Sequence, residues 1–171
     1  LVEMSHRGKV VDEIHNQALT LIRELLGLPA SYKVMILGGG ATLQFGMVPL
    51  NFLPRDGSAD YIVTGAWSQK AVKEAKKVGG VKTAYTGEAA NFNSVPAQGD
   101  LRLDPNAAFV SFTSNETIHG VEFNSEPVPP AGVELVCDMS SDFLSQPVNV
   151  TPYGLIYAGA QKNAGPAGVT V

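Results

Sequence analysis

Short β-prone runs recur along this chain of 171 residues, with helices or long crossings between them. Tyr32–Leu37, Tyr61–Thr64, Val81–Tyr85, Ala108–Phe112, Val133–Cys137 and Leu155–Tyr157 are each the length of one strand, and Val169–Val171 is a shorter run at the end. Strands joined by crossings of this kind run parallel, and parallel strands are buried on both faces, so they read as apolar runs rather than as alternating ones. The pattern predicts an α/β domain, a three-layer α/β/α arrangement around a mostly parallel sheet.

The segments between the runs fit that arrangement. Residues 9–26 have the spacing of an amphipathic helix, with Ile14, Ala18, Leu21 and Leu25 on one face. Gly27 caps it, Pro29 prevents its resumption, and His15 is a solvated position on it. A second helix is expected from Thr42 to Phe52, kinked or cut short by Pro49. A third is expected from Ser68 to Val78, its lysines mostly outward, ended by Gly79-Gly80. Residues 86–106 and 113–120 read as loops, 55–57 as a turn, and 126–132 as a proline-rich connection.

Composition narrows the function. At 44% hydrophobic and 16% charged residues, the chain can bury a core of ordinary domain size. A net charge of −4 argues against a general nucleic-acid binder. No apolar run approaches the roughly 20 residues of a membrane span. A single cysteine, Cys137, excludes an internal disulfide and fits a reducing, cytoplasmic setting. No metal site is expected. The chain opens without an initiator methionine and stops inside a β-prone run, so it reads as part of a larger protein.

Ligands of parallel sheets sit beyond the carboxyl ends of the strands. The unusual residues of this sequence lie at those points: Gly38 to Thr42 after one run, then Trp67, Thr117, Asp138 and Lys162 after four others. If the strands are parallel, all five groups meet at one edge. A Gly-rich turn opening a helix suits a phosphate, although it lacks both the dinucleotide fingerprint and the P-loop spacing. Trp67 could stack on a ring, or belong to the core. Asp138 ends a very apolar strand, where a carboxylate needs a cationic partner or a raised pKa; the alternative is a helix N-cap, since Ser140 and Ser141 follow. Thr117 and Gln161 offer a hydroxyl and an amide, or make ordinary loop hydrogen bonds. Lys162 lies among small residues with no acid in its stretch, and Gly159, Gly165 and Gly168 leave room for a bulky group. A lysine on a Gly-rich turn is ordinarily a surface residue, but a desolvated one suits covalent catalysis on a carbonyl. One ligand uses every group: pyridoxal 5'-phosphate has a phosphate, an aromatic ring, a ring nitrogen that pairs with a carboxylate, and an aldehyde that traps a lysine.

The motifs Met4-Ser5-His6-Arg7, Gly38-Gly39-Gly40-Ala41-Thr42-Leu43-Gln44-Phe45, Thr64-Gly65-Ala66-Trp67-Ser68, Ser114-Asn115-Glu116-Thr117-Ile118-His119-Gly120-Val121, Cys137-Asp138-Met139-Ser140-Ser141 and Ala158-Gly159-Ala160-Gln161-Lys162-Asn163 closely resemble those of the phosphoserine aminotransferase family. The resemblance runs through the whole chain. It implies a fold-type-I, class-V aminotransferase large domain of the aspartate aminotransferase kind. The implied reaction is glutamate plus 3-phosphohydroxypyruvate giving 2-oxoglutarate and O-phosphoserine, in serine biosynthesis, with a role in pyridoxine biosynthesis in some bacterial members. Lys162 would be the lysine that binds the cofactor covalently. Gly40, Ala41, Trp67, Thr117, Asp138 and Gln161 would complete the cofactor site. Arg7, with His6 beside it, would take the substrate carboxylate or phosphate, since a guanidinium forks onto either anion. The resemblance further implies a homodimer in the full-length protein, and that residues 1–171 are part of the large domain, without its N-terminal segment, its remainder or the C-terminal small domain. The rival readings are another class-V enzyme such as a desulfurase, which would need Cys137 as a mobile nucleophile, and an inactive fragment or binding domain that only holds a phosphate ligand.

Overall fold

The computed structural model describes residues 3–171. Its centre is a five-stranded sheet of β1 (Ser58–Val63), β2 (Gly80–Thr86), β3 (Phe109–Thr113), β6 (Glu134–Asp138) and β7 (Tyr153–Tyr157) in the order β2-β1-β3-β6-β7. Every pairing in it is parallel. Alternate residues along each strand feed two separate cores. Ile62, Val110, Phe112, Leu135 and Cys137 face one way; Tyr61, Val63, Phe109 and Val136 face the other. The period-two geometry of a strand produces this division, and burial on both faces explains why β3 is buried throughout.

Helices α2 (Gly40–Phe52) and α3 (Ala66–Ala75) cover the second face through Phe45, Val48, Ala71 and Val72. The first face is covered by Ile22 and Leu26, at the end of α1 (Lys9–Leu25) and just beyond it. Non-helical residues add to this layer, among them Leu101, Phe123, Phe143 and Val150. The three layers expected are therefore present, but one is mostly irregular chain.

Five expectations need correction. Tyr32–Leu37 joins no strand of the sheet: only Leu37 pairs, in a single antiparallel bridge to Thr170. Val169–Val171 is likewise reduced to bridges at Thr170, to Leu37 and Gly159. β-propensity needs a neighbouring strand to be realised, and residues 33–36 have no ladder partner among the described residues. α1 is rotated relative to its expected face: Ile14, Leu21 and Leu25 are exposed, and Ile22 and Leu26 point inward. Arg23 fixes this rotation by donating to the carbonyls of Tyr32 and Pro29 at 2.8 and 3.0 Å. α2 runs through Pro49 to Phe52. Pro49 sits fully buried in the last turns, where the packing of its ring offsets the bond that its missing N–H cannot give to the Phe45 carbonyl, and the helix continues to Phe52. Last, the loop at 113–120 contains half of a small antiparallel ladder, β4 (Asn115–Glu116) with β5 (Val121–Glu122).

Leu135, fully buried in a strand flanked on both sides, tests the sheet. Leu135→Ala is expected to cost about 2–5 kcal/mol, the range for a core leucine that leaves a cavity. Denaturant unfolding of the cofactor-free complete protein measures it, with a loss under about 1 kcal/mol contradicting the packing described.

Candidate functional site

Because the five strands are parallel, their carboxyl ends share one edge, and a cavity of about 280 Å³ lies there. Gly40, Ala41, Trp67, Asp138, Gln161 and Lys162 all line it. Four of the five groups expected to converge there do so; the fifth, Thr117, is not among the lining residues and reaches the cavity only through its bond to Lys162.

One wall is the start of α2. Gly39, at φ +97°, turns the chain into the helix through a left-handed conformation that favours glycine. No side chain caps this helix start, so the first-turn N–H groups are left for an anion in the cavity. Trp67, the second residue of α3, forms another wall. Its indole Nε1 is buried and meets no acceptor among the described residues. The ammonium of Lys70 sits 4.1 Å from the Trp67 ring centroid and that of Lys162 sits 5.6 Å away.

Lys162 follows β7 and crosses the cavity mouth, where Nζ donates to Thr117 Oγ1 at 2.5 Å. The lysine lines the cavity yet is exposed rather than desolvated. The space beside Gly159 is filled by the side chain of Gln161, which would stand 2.6 Å from a Cβ there.

Asp138 ends β6 and is 4% exposed. Its Oδ1 accepts both the backbone N–H and the hydroxyl of Ser140, at 2.9 and 2.6 Å. Ser140 Oγ in turn accepts the N–H of Gly159 at 3.0 Å, tying the carboxylate to the segment that carries Lys162. Burial pushes the Asp138 carboxyl up to about 6, against the hydrogen bonds from Ser140 that pull it down; Glu116 and Asp142 add like-charge repulsion. The residue closes a turn at 140–144 and not a helix, so the N-cap alternative is not realised, while its expected raised pKa is. A cation arriving at this carboxylate would restore its charge.

His6 and Arg7 are not brought into the cavity: both are exposed on the segment before α1. Ser140 as the support of Asp138, and Thr113, Asn115 and Ser141 as lining residues, were not singled out from sequence. Only the Asp138-x-Ser140 spacing of a side-chain-closed turn could have marked Ser140. Cys137 is fully buried in β6, and burial raises its thiol pKa, so it has neither the exposure nor the thiolate character of a nucleophile.

The residues fit pyridoxal phosphate, with an uncapped helix start for the phosphate, an indole wall for the ring, a buried carboxylate without a cation for the ring nitrogen, and a lysine at the mouth. Comparisons agree with this chemistry. The family model for aminotransferase class-V matches residues 2–171. Phosphoserine aminotransferases of Laribacter hongkongensis and Drosophila melanogaster are 52% and 50% identical over 171 residues, all of this chain and 47% of their own length. The solved phosphoserine aminotransferase from Bacillus circulans subsp. alkalophilus is 48% identical, with a TM-score of 0.93 over 99% of this chain and 46% of that one. The pyridoxal-phosphate-bound phosphoserine aminotransferase from Trichomonas vaginalis is 38% identical, with a TM-score of 0.88 over 99% of this chain and 47% of that one. The chain thus spans about half the length of the relatives it matches.

Asp138 makes a pH-dependent contribution to stability in the cofactor-free protein. Its folded pKa of about 6 lies above the ordinary 3.8, so the native state binds the extra proton between those values. Stability therefore falls as pH rises from about 4 to 6 and levels off above that window. Asp138→Asn removes the effect, and at pH 8 it is expected to be the more stable protein by on the order of 2–3 kcal/mol. Denaturant unfolding at pH 4 and pH 8 checks this: equal stability of the two proteins at both pH values would show that the carboxylate carries its charge without cost.

Proposed function

Because this chain belongs to the class-V aminotransferase family, we propose that the complete protein carrying it transfers the amino group of L-glutamate to 3-phosphohydroxypyruvate. The products are 2-oxoglutarate and O-phosphoserine. The observation that supports this most is the meeting of Lys162, Asp138, Trp67 and the uncapped start of α2 around one cavity. The substrates are those of the phosphoserine aminotransferases to which the chain is similar over its whole length.

When bound, pyridoxal phosphate supplies an aldehyde that accepts amines and a ring that takes up the electron pair left at the substrate α-carbon. The chain's residues do the rest. Gly40 and Ala41 hold the phosphate through α2's first-turn N–H groups. Trp67 fixes the plane of the ring. Asp138, with Oδ1 held by Ser140, keeps the ring nitrogen protonated by pairing with it. Lys162 would hold the group covalently at rest, and its Nζ, once freed, would carry a proton from the substrate α-carbon to the cofactor carbon that bore the aldehyde. Thr117, already within hydrogen-bond reach of Nζ, and Gln161 orient the cofactor beside the lysine. On the resemblance, Arg7, with His6 beside it, would take an anionic group of the substrate, although in this chain both lie outside the cavity.

We further propose, on the resemblance, a cytoplasmic homodimer in which residues outside this chain complete the substrate site. A part in pyridoxine biosynthesis is a second use of the same chemistry on a related phosphorylated keto acid. Among the described residues no helix is long and apolar enough to cross a membrane.

In the complete protein, borohydride reduction in the presence of pyridoxal phosphate is expected to fix the label on Lys162, read by peptide mass spectrometry. Lys162→Ala is expected to lower kcat by at least about 10²–10⁴, the range for a positioned proton-transfer group. Asp138→Asn is expected to cost more turnover than Trp67→Phe, as an electron sink outweighs a stacking wall. Label scattered over other lysines, or full turnover in Lys162→Ala, would count against the assignment.

A further inference from the structure

A second buried carboxylate lies behind the cavity, at Glu116. It is fully buried in β4, 49 positions along the chain from Trp67, and it reaches the start of α3. Its Oε2 accepts the N–H of Trp67 at 3.0 Å. Its Oε1 accepts the N–H of Ser68 at 2.7 Å and the hydroxyl of Ser68 at 2.6 Å. Ser68 Oγ also accepts the N–H groups of Thr64 and Gly65, at 3.0 and 3.1 Å. The helix start is therefore closed by a side chain from another element, in the role an N-cap residue usually fills locally.

Two further observations set this carboxylate apart from an ordinary cap. Gly65 makes room for it: a Cβ at that position would stand 2.5 Å from Glu116 Cδ and 2.6 Å from Oε2. The residue after Glu116 is Thr117, whose hydroxyl receives Lys162 Nζ. One carboxylate thus bonds directly to the backbone of the residue that walls the cavity and is covalently next to the partner of the lysine. Its three donors leave no place for an N–H₂ group, so a glutamine of the same size must set donor against donor.

Building on the pyridoxal-phosphate reading of the cavity, we propose that Glu116 is a positioning residue: it locks the start of α3 to β4 and so sets the distance between the Trp67 ring wall and the Thr117–Lys162 pair. Gly65 and Ser68 serve the same lock, one by leaving space and the other by donating. The two helix starts at this edge then have separate duties. That of α3 is satisfied within the protein by Glu116, and that of α2 stays open for the cofactor phosphate.

The test uses the complete protein with pyridoxal phosphate, comparing Glu116→Gln, Ser68→Ala, Trp67→Phe and the Glu116→Gln/Trp67→Phe pair. The readouts are borohydride labelling of Lys162, cofactor affinity, and the visible circular dichroism of the bound cofactor, which reports how its ring is held. Glu116→Gln is expected to retain labelling at Lys162, to bind the cofactor about tenfold more weakly, and to lose at least about half of the visible dichroism per bound cofactor. Ser68→Ala, which keeps both backbone donors on the carboxylate, is expected to fall between it and the unsubstituted protein. Because Glu116 acts through Trp67, the double variant should lose less dichroism than the two single losses combined. Unchanged cofactor affinity and dichroism in Glu116→Gln, with only thermal stability lowered, would make Glu116 a plain helix cap and overturn the proposal. If Glu116→Gln does not fold, unchanged dichroism in Ser68→Ala overturns it. Failure of labelling in the unsubstituted protein would overturn the cofactor reading itself, and this proposal with it.

Discussion

The parallel ladder between β3 and its neighbours is the constraint from which the rest of the structure follows. It pairs β3 with β1 on one side and with β6 on the other, all in one direction. Every strand then delivers its carboxyl end to the same edge, and the residues that follow, far apart in sequence, become neighbours there. Asp138 is the last residue of β6, Trp67 opens α3 just after β1, and Lys162 lies a few residues beyond β7. An antiparallel ladder from the same apolar runs would have scattered these groups over two edges.

That edge contains a deliberate conflict between burial and charge. The strands that end there are apolar because both faces are covered, so a carboxylate at the end of one is desolvated. Asp138 bears this cost, and the two hydrogen bonds of Ser140 to Oδ1 offset only part of it. Glu116 is buried more completely, yet three donors surround it. The same carboxylate group in two places thus ends with opposite needs. One carboxylate is satisfied by the protein, and among the described residues no basic side chain pairs with the other. This difference separates a group that shapes the site from one that works in it.

The surface that is not resolved into strands follows the same physics. Tyr32–Leu37 has the composition of a strand and is held by Tyr32, whose hydroxyl lies 2.9 and 2.8 Å from the carbonyls of Val150 and Tyr153, but it has no ladder. α1 has apolar residues around more than one side, and periodicity alone could not say which side would turn inward. Two hydrogen bonds from Arg23 to a loop decided it. Neither the loop's path nor a strand's neighbour is written in the local pattern.

The sequence by itself marked the five apolar runs that became the sheet, along with Tyr32–Leu37 and Val169–Val171 that did not; it also showed that the runs are joined by crossings and so run parallel, and that glycines, Trp67, Thr117, Asp138 and Lys162 stand just after them. These are local properties, set by side-chain volume, branching and the backbone freedom of glycine, and they survive without knowledge of neighbours. Only the tertiary structure decided the sheet order, the rotation of α1, the exposure of Lys162, the support of Asp138 by Ser140 and the capping of α3 by Glu116. Each of these depends on a hydrogen bond or a contact between residues remote in the chain. Hydrophobic patterning is blind to such pairs, because it records whether a residue is buried and not which donor or acceptor waits for it there.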